Sequence, residues 1–446
     1  MTSNLRRQIG YWAVAAGIFI STTLSNGPGA VYGLYRQKWG LSPLTVTAVF
    51  AVSSLALLAM LVAMGGVSDI VGRRPLILFA VVLNLIATVA FLFASGIVWL
   101  FVARALQGAS SGLLSGPATA ALVELDRRSN YRRASLVSTV ALMTGSAIGP
   151  LLFGLLAEYT SEPLRTPYLA HGVLVALVLL GMSCVPGDRP LCSRTGAPAR
   201  GDRVGRRWRV LVQRPRFPLV RRRLFLLATG TVAVTWCIGS FWASLTSLVT
   251  SQLLHDNARA LPGEILFAYF GLAGVIQLVA RRWDHRLAML WGVIAVAVGI
   301  GLLELAISVR STVALVFAIV IGGIGAGISY MGATAVVVYL ATPENRAAVI
   351  SAYNVIGYLA VAVPVVIVGI VATDIGLRDA TGVFVVVAVA VSAALSWALW
   401  REPPLRYDEL LHQQLPDVVV PEPAAEAAVV AAAEGHGAEE HAAASD

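Results

Sequence analysis

The sequence predicts an all-α membrane protein: twelve transmembrane helices in two six-helix bundles that are related by a parallel pseudo-two-fold repeat. Three observations support this fold class, namely an apolar composition, apolar runs of membrane-spanning length, and a helix pattern that occurs twice. Of the 446 residues, 57% are hydrophobic and only 13% are charged, which is too little charge to cover a water-soluble surface. About 20 apolar residues cross about 30 Å of hydrocarbon as a helix, which satisfies its own backbone hydrogen bonds.

Twelve such runs follow one another along the chain. The first comes after Arg6 and Arg7, as a secretory signal would, but it continues to Tyr32. That is too long for the apolar part of a signal, so we expect the segment to be retained. The predicted spans are 9–32, 44–67, 75–95, 97–123, 133–157, 167–186, 224–250, 262–280, 286–308, 311–340, 346–372 and 379–400.

The basic residues are distributed unequally between the two sides of this arrangement. The amino terminus, the even-numbered loops and the tail hold 26 Arg, the opposite side holds 6 basic residues, and Arg104 lies inside a span. Because Arg and Lys are enriched on the cytoplasmic side, we expect a multi-pass protein of the inner or plasma membrane with both termini in the cytoplasm. The net charge of +9 therefore indicates topology, and we expect no nucleic-acid partner.

One helix pattern is written twice. Residues 108–125, GASSGLLSGPATAALVEL, align with residues 323–340, GIGAGISYMGATAVVVYL, at an offset of 215, and Pro150 and Pro364 follow in the next spans. Chance similarity between Gly- and Ala-rich helices is the alternative, but an offset close to 215 persists over both spans. Spans four and five thus correspond to ten and eleven, in the same orientation. Secondary transporters use such parallel repeats, with the substrate site between the halves near the midplane.

We therefore divide the chain into a first bundle (1–186), a basic cytoplasmic linker (187–223), a second bundle (224–400) and an acidic tail (401–446). The linker is expected to lie against anionic headgroups. The tail, rich in Ala and Pro, is expected to be disordered. Its three His residues have no compact metal-site spacing, so we expect no metal. We also expect no cofactor, and we expect the protein to be a monomer.

A Gly- and Arg-rich loop, GGVSDIVGRRP, joins the second and third spans. Its motif residues are Gly65, Asp69, Gly72, Arg73 and Arg74. The glycines allow a tight loop, and the carboxylate beside two Arg residues can meet the dipole of a neighbouring helix. This loop resembles the signature of the major facilitator superfamily, and the resemblance implies a latch that holds one conformation by contacting the second half. The alternative is a solvated loop whose Arg residues only set topology.

Arg104 lies about seven residues inside the fourth span. A charged side chain there costs at least ~2.5 kcal/mol, so such residues usually face a polar cavity. Gln107 lies one turn further along the same face, and RALQG at 104–108 matches the superfamily motif that ends in Gly108. The alternative is that Arg104 extends to the outer headgroups.

In the cavity, Arg104 must find hydrogen-bond acceptors. We expect these to be Gln107, Asn26, the backbone carbonyls freed near Gly27 and Pro28, or the substrate. We therefore predict that Arg104, Gln107, Gly108 and Asn26 form a cavity or coupling site.

The fifth span contains GSAIGPLLFG, in which Gly145, Gly149, Pro150 and Gly154 resemble a motif of the superfamily's antiporters, with Phe153 in place of a glycine. Close packing and a kink follow from these residue types, so ordinary helix packing is the alternative. The resemblance covers all twelve spans and implies the drug:proton antiporter branch.

Proton coupling is implied by the resemblance more than by the residues. Better-known proton-coupled exporters often carry an acidic residue in the first span, where this chain has Asn26. Glu124, Glu158 and Glu304 all lie near helix ends. His171, near the outer end of the sixth span, is a group that could titrate.

Bulky side chains away from the interfaces are candidates for substrate contacts, although each one taken singly could be core packing. They indicate an aromatic, mostly uncharged cavity for an amphipathic or lipophilic compound. The candidates are Trp236, Tyr330, Met331, Tyr353 and Asn354.

The expected function is therefore export of a small molecule, with protons as the coupling ion and the lipid bilayer as surroundings. A sugar or metabolite facilitator or symporter of the same superfamily is the alternative, and a sensor that kept the fold is a further one. A membrane enzyme is not expected, because the sequence has no His-Glu-x-x-His and no Gly-x-Ser-x-Gly. It also has no Gly-x-x-x-x-Gly-Lys loop for ATP.

Overall fold

The computed structural model describes residues 3–64, 71–126, 131–183, 221–252, 258–280, 282–341 and 345–403. Within these residues the chain forms twelve α-helices and no strand. They are α1 Ser3–Trp39, α2 Pro43–Met64, α3 Arg73–Leu92, α4 Ile97–Leu125, α5 Tyr131–Tyr159, α6 Thr166–Met182, α7 Arg222–Gln252, α8 Leu261–Val279, α9 His285–Val309, α10 Thr312–Leu340, α11 Arg346–Asp374 and α12 Leu377–Trp400.

Ten of the twelve helices are long and apolar enough to cross a membrane by length and composition; α1 is not among them, and α6 has 17 residues. The helix α1 continues beyond the predicted end at residue 32. It ends beside Gly40, which has a positive φ of 63°, a conformation that glycine adopts without strain. Arg36 and Lys38 occupy its last turn, where positive charge is favourable to the helix dipole.

The helices pack in two sets. In the first six, α1 contacts α4, α5 and α6, while α4 also contacts α2 and α3, and α3 contacts α6. In the last six, α7 contacts α10, α11 and α12, while α10 also contacts α8 and α9, and α9 contacts α12. Each of these pairs in one set has a counterpart six helices away. Between the sets, α1 contacts α7 and α8, α2 contacts α11, and α5 contacts α8.

The two sets meet most closely on the side of the molecule opposite to the start of α1, here called the closed side. A Cβ at Gly29 would lie 2.2 Å from the carbonyl oxygen of Ala243, and one at Gly263 would lie 2.4 Å from that of Pro150. The larger apolar core lies here and draws on both sets. The second core cluster, nearer the start of α1, draws only on helices of the first set.

A carboxylate also bridges the two sets on the closed side. The Oε2 atom of Glu158, near the end of α5, accepts hydrogen bonds from the backbone N–H groups of Arg259 (2.6 Å) and Ala260 (3.2 Å). These N–H groups precede α8, where a negative charge is favourable because the helix N-terminus carries partial positive charge.

Candidate functional site

A cavity of about 440 Å³ lies between the two sets of helices. It extends from the middle of the helices towards the side where α1 begins. Asn26, Gln107, Trp236, Tyr330 and Asn354, all predicted from the sequence, are on its lining. Among the described residues, no Asp, Glu, His, Lys or Arg lines this cavity. Its surface is built from hydroxyl, carboxamide, aromatic and aliphatic groups.

An aromatic cluster forms the part of the lining around Trp236. The Trp236 ring stacks on Tyr330 at 5.8 Å between centroids and meets Tyr358 at 5.0 Å. A Cβ at Gly357 would lie 2.9 Å from the indole ring, so the ring rests directly against α11. Sequence reasoning missed Tyr358; its position four residues after Asn354 places it on the same helix face.

Two other predicted substrate residues do not reach the cavity. Met331 is absent from the lining, because it follows Tyr330 directly and successive residues of an α-helix point about 100° apart. Tyr353 is buried, and its hydroxyl forms a hydrogen bond of 2.8 Å with the Thr334 hydroxyl. Both side chains belong to the packing around the site.

Arg104 is completely buried and lies behind the cavity wall. Its Nε donates to the Tyr32 hydroxyl (2.6 Å). Its Nη1 donates to the Ser25 carbonyl (2.8 Å) and to the Gln107 Oε1 (3.1 Å). A guanidinium enclosed in this way does not extend to the headgroups, so the alternative of an arginine reaching for the membrane surface is wrong for this conformation.

Pro28 supplies part of the arginine's environment. Proline has no N–H and therefore leaves free the carbonyl four residues earlier in a helix, which here belongs to Leu24. The Nη1 of Arg104 lies 3.5 Å from that carbonyl oxygen. The expectation that carbonyls near Gly27 and Pro28 serve Arg104 is therefore met, whereas Asn26 points to the cavity instead.

The charge of Arg104 has no carboxylate partner within the described residues. Aromatic rings surround it: the guanidinium carbon lies 5.2 Å from the ring centre of Tyr32 and 5.8 Å from those of Phe50 and Phe91. Rings at such distances attract a cation through their negative faces. The Nη2 atom is buried without a hydrogen-bond partner, so dipoles and rings, without a counter-charge, stabilise this cation.

Gln107 connects the arginine to the cavity. Its Nε2 donates to the hydroxyls of Ser25 (2.7 Å) and Ser111 (3.1 Å), both of which line the cavity. Gly108 does not belong to this site: a Cβ there would lie 2.0 Å from the Ser53 carbonyl oxygen. The glycine instead lets α4 pack closely against α2.

In the predicted latch, Gly65 and Asp69 lie outside the described residues. Gly72 precedes α3 with a φ of 97°. The guanidinium of Arg73 lies 2.5 Å from the Glu124 carboxylate at the end of α4, and Arg74 Nη2 lies 3.5 Å from the Ser183 carbonyl. These contacts join the start of α3 to the end of α4 and to the residue that follows α6, all in the first set.

The antiporter-like motif of α5 packs against two helices. A Cβ at Gly145 would lie 2.4 Å from the carbonyl oxygen of Phe19 in α1. One at Gly149 would lie 2.6 Å from the carbonyl oxygen of Thr23 in the same helix. A Cβ at Gly154 would lie 3.0 Å from Ala260 O, before α8. Pro150 lies inside the helix. These residues thus set the approach of α5 to both sets of helices.

Phe153, the departure from that motif, is fully buried. A Cβ at Gly27 would lie 2.8 Å from its ring, so a glycine in α1 makes room for the larger side chain. His171 packs nearby, 3.0 Å from both the Thr88 hydroxyl and the Ile20 carbonyl. It is also fully buried and does not line the cavity.

The family model of the Major Facilitator Superfamily matches residues 14–281 and 263–432. The chain belongs to the major facilitator superfamily. This superfamily is a family of membrane transporters. The helices described here and the cavity between them are thus those of a member of a transporter family.

Two relatives, both named "Putative multidrug resistance protein MdtD", come from strains of Escherichia coli. The protein of strain UMN026 is 29% identical over 161 residues, or 36% of this chain and 34% of its own length. The protein of strain E24377A is 24% identical over 384 residues, or 85% of this chain and 72% of its own length. The first of these matches thus spans about a third of its relative.

Solved structures share the fold. A bacterial homologue of the human lysosomal transporter Spinster, in an inward-facing and occupied conformation, has a TM-score of 0.70 at 14% identity, covering 92% of this chain and 98% of that one. The human organic anion transporter MFSD10 (TETRAN) has a TM-score of 0.61 at 18% identity, covering 88% of this chain and 99% of that one. At these identities the likeness shows the fold alone.

Proposed function

We propose that this chain is a secondary active transporter that exports a small amphipathic or lipophilic compound. The observation that carries the proposal is the cavity of about 440 Å³ between the helix sets, with an aromatic cluster and no charged lining residue among those described. This volume falls in the range of about 300–1,000 Å³ that is typical of small-molecule sites. The multidrug-resistance names of the relatives support efflux.

The transport cycle we propose is alternating access of two six-helix bundles, 1–186 and 224–400, joined by a basic cytoplasmic linker at 187–223. The recurrence of the helix contacts six helices apart supports the repeat. The 26 to 6 distribution of basic residues supports twelve spans with both termini, and the tail at 401–446, in the cytoplasm of an inner or plasma membrane. With that orientation, the cavity of this conformation opens inward.

Proton antiport is the proposed driving reaction, with Arg104, Gln107 and Asn26 at the coupling site. Removing Arg104 would then abolish accumulation against a gradient but leave exchange down a gradient. A second candidate function, a sugar or metabolite facilitator or symporter, is favoured by one observation: no Asp, Glu or His side chain that could exchange a proton lines the cavity among the described residues.

For the loop at 65–75 we propose the latch that its motif implies. Asp69→Asn should leave insertion normal and reduce transport, because a lost coupling of about 1–3 kcal/mol changes conformer populations by about 5–150-fold. Unchanged transport, together with unchanged cysteine accessibility from both sides, would contradict the latch.

The decisive experiment reconstitutes the purified chain into proteoliposomes with candidate fluorescent compounds, with and without an imposed pH gradient. Accumulation that needs the gradient and collapses with a protonophore supports antiport. Equilibration that ignores the gradient supports the facilitator. Failure to move any compound, in vesicles where folding is verified, would refute the transporter.

A further inference from the structure

The two sides of the cavity differ in chemistry. The first set of helices supplies ten of the lining serine and threonine hydroxyls and the second set supplies two, Thr235 and Ser240. The second set also carries the phenol hydroxyls of Tyr269, Tyr330 and Tyr358. The aromatic rings follow the opposite distribution: the second set supplies five, and the first set supplies only Phe50. The first is here called the hydroxyl wall and the second the aromatic wall. From this division, and resting on the proposed transport function, we propose that the substrate is an uncharged planar aromatic compound with hydroxyl or amide groups along one edge.

The aromatic wall is shaped to receive a flat ring. Trp236 is fixed between Gly357 behind it and the rings of Tyr330 and Tyr358. One turn further on, Gly239 lines the cavity, and a Cβ there would meet no atom within 4 Å. A ring can therefore lie over the backbone at Gly239 and contact the edge of the cluster, an arrangement that aromatic pairs favour.

The hydroxyl wall offers mainly acceptors. Thr22, Ser53 and Ser115 each donate their hydroxyl hydrogen to a carbonyl of their own helix, at 2.8–3.1 Å. A hydroxyl whose hydrogen is used in this way still accepts hydrogen bonds at its oxygen. Ser54 and Ser146 line the cavity without a hydrogen-bond partner among the described residues. Hydroxyl or amide groups on the ligand satisfy such a surface, whereas a purely apolar ligand leaves it unpaired.

The charge distribution disfavours both kinds of ion. No carboxylate lines the described cavity, so a cation would exchange its water for ring faces and hydroxyl dipoles alone, without a counter-charge. Behind Gln107, the guanidinium of Arg104, which has no carboxylate partner among the described residues, adds a positive potential that repels a cation in the cavity. An anion does not reach that guanidinium, because Arg104 is completely enclosed. A neutral molecule with polar groups on one edge fits both conditions.

The experiment measures binding to the purified full chain by equilibrium dialysis and transport in proteoliposomes, with four probes built on one coumarin ring. They are the neutral 7-O-glucoside, its permethylated form without donors, a trimethylammoniopropyl ether and a carboxymethyl ether. We expect the glucoside to bind at least about tenfold more tightly than the other three, the scale of one or two lost hydrogen bonds.

Variants assign each wall its part. Trp236→Leu should weaken the binding of the glucoside and of its permethylated form equally, by about tenfold in Kd. The double variant Ser54→Ala with Ser146→Ala should weaken the binding of the glucoside but not that of its permethylated form. Lipid-facing Trp291→Leu and Ser351→Ala, whose hydroxyl is buried away from the cavity, are matched controls and should change neither affinity.

The outcomes separate the substrate class from the transport function. Tighter binding of the cation or the anion, or equal loss of both neutral probes in the serine double variant, would overturn the substrate class even if transport is observed. Absence of binding by all four probes would overturn it as well. Binding of the glucoside with the expected variant pattern, but without movement across the vesicle membrane, would leave the substrate class standing and refute transport.

Discussion

The helices α4 and α10 carry the same pattern, and the structure shows which part of it has the same use in both. A Cβ at Gly108 would lie 2.0 Å from the Ser53 carbonyl oxygen in α2, and one at Gly323 would lie 2.7 Å from that of Tyr269 in α8. One turn later, Gly112 and Gly327 approach the same partner helices in the same way. The repeated glycines are thus packing positions, since they let two backbones meet closely.

The residue one turn before each first glycine differs. In α4 it is Arg104, with hydrogen bonds to α1; in α10 it is Ile319, buried in the apolar core. The helices they face differ correspondingly, because α1 contains Pro28 whereas α7 contains no proline. Of these two helices, only α1 thus provides a carbonyl freed by proline for a guanidinium. At these positions the glycine packing occurs in both helices, whereas the buried charge occurs only in α4.

The largest expected effect comes from Arg104. Arg104→Ala should abolish proton-driven accumulation while the protein still inserts, since no remaining side chain can occupy the acceptors Tyr32, Ser25 and Gln107. Arg104→Lys should be impaired, because it keeps the charge but loses the planar group with several donors. Initial rates in proteoliposomes, normalised to inserted protein, measure both. If Arg104→Ala kept full activity in both accumulation and exchange, the buried charge of α4 would have no part in transport, and α4 and α10 would not differ in function at this position.

The next effect tests the shared part of the pattern. Gly108→Ala and Gly323→Ala should each destabilise the protein by a similar amount, about 1–3 kcal/mol, because added groups in a packed interface force backbone shifts. Gly116→Ala in α4 is the control, since a Cβ there meets no atom within 4 Å. It should be neutral or slightly stabilising. Thermal unfolding in detergent measures all three; a loss confined to Gly108→Ala would show that the packing is not equivalent.

The sequence predicts the close packing of the helices better than it predicts which side chains reach the cavity. The glycine spacing predicts close helix contacts at the same places in α4 and α10, as observed. The cost of a buried charge predicts that Arg104 faces the cavity, whereas the structure places it behind the cavity wall; its part in coupling stays a prediction. Helix periodicity alone did not separate Tyr330 from Met331, or assign Gly108 to packing, because the direction of a face depends on which neighbour it meets. The sequence places Glu158 near a helix end but does not predict its partners, the N–H groups of Arg259 and Ala260, because they lie about a hundred positions later in the chain.

A smaller effect is expected at Glu158, which joins the sets on the closed side. Glu158→Gln should weaken its hold on the start of α8, since a charge at a helix N-terminus contributes about 0.3–1 kcal/mol, a shift of about two- to fivefold in conformer population. Labelling of Ser240→Cys, in a cysteine-free background, by an impermeant maleimide added to the closed side should rise accordingly. Glu162→Gln, an exposed carboxylate at the same end, should leave labelling unchanged. No rise in Glu158→Gln would show that the glycine contacts alone close this side.

The smallest effect is expected at Ile319, the counterpart of Arg104. Ile319 is only 7% exposed and packs in the core, so Ile319→Val removes one methylene and should cost about 0.5–1.5 kcal/mol of stability. Its side chain makes no polar contact and does not line the cavity, so KM and the dependence on the pH gradient should stay as in the parent protein. A melting curve and a substrate titration measured on the same preparation separate the two quantities. If Ile319→Val reduced transport as much as Arg104→Lys does, both positions would act in the cycle itself, and the functional asymmetry between α4 and α10 would be wrong.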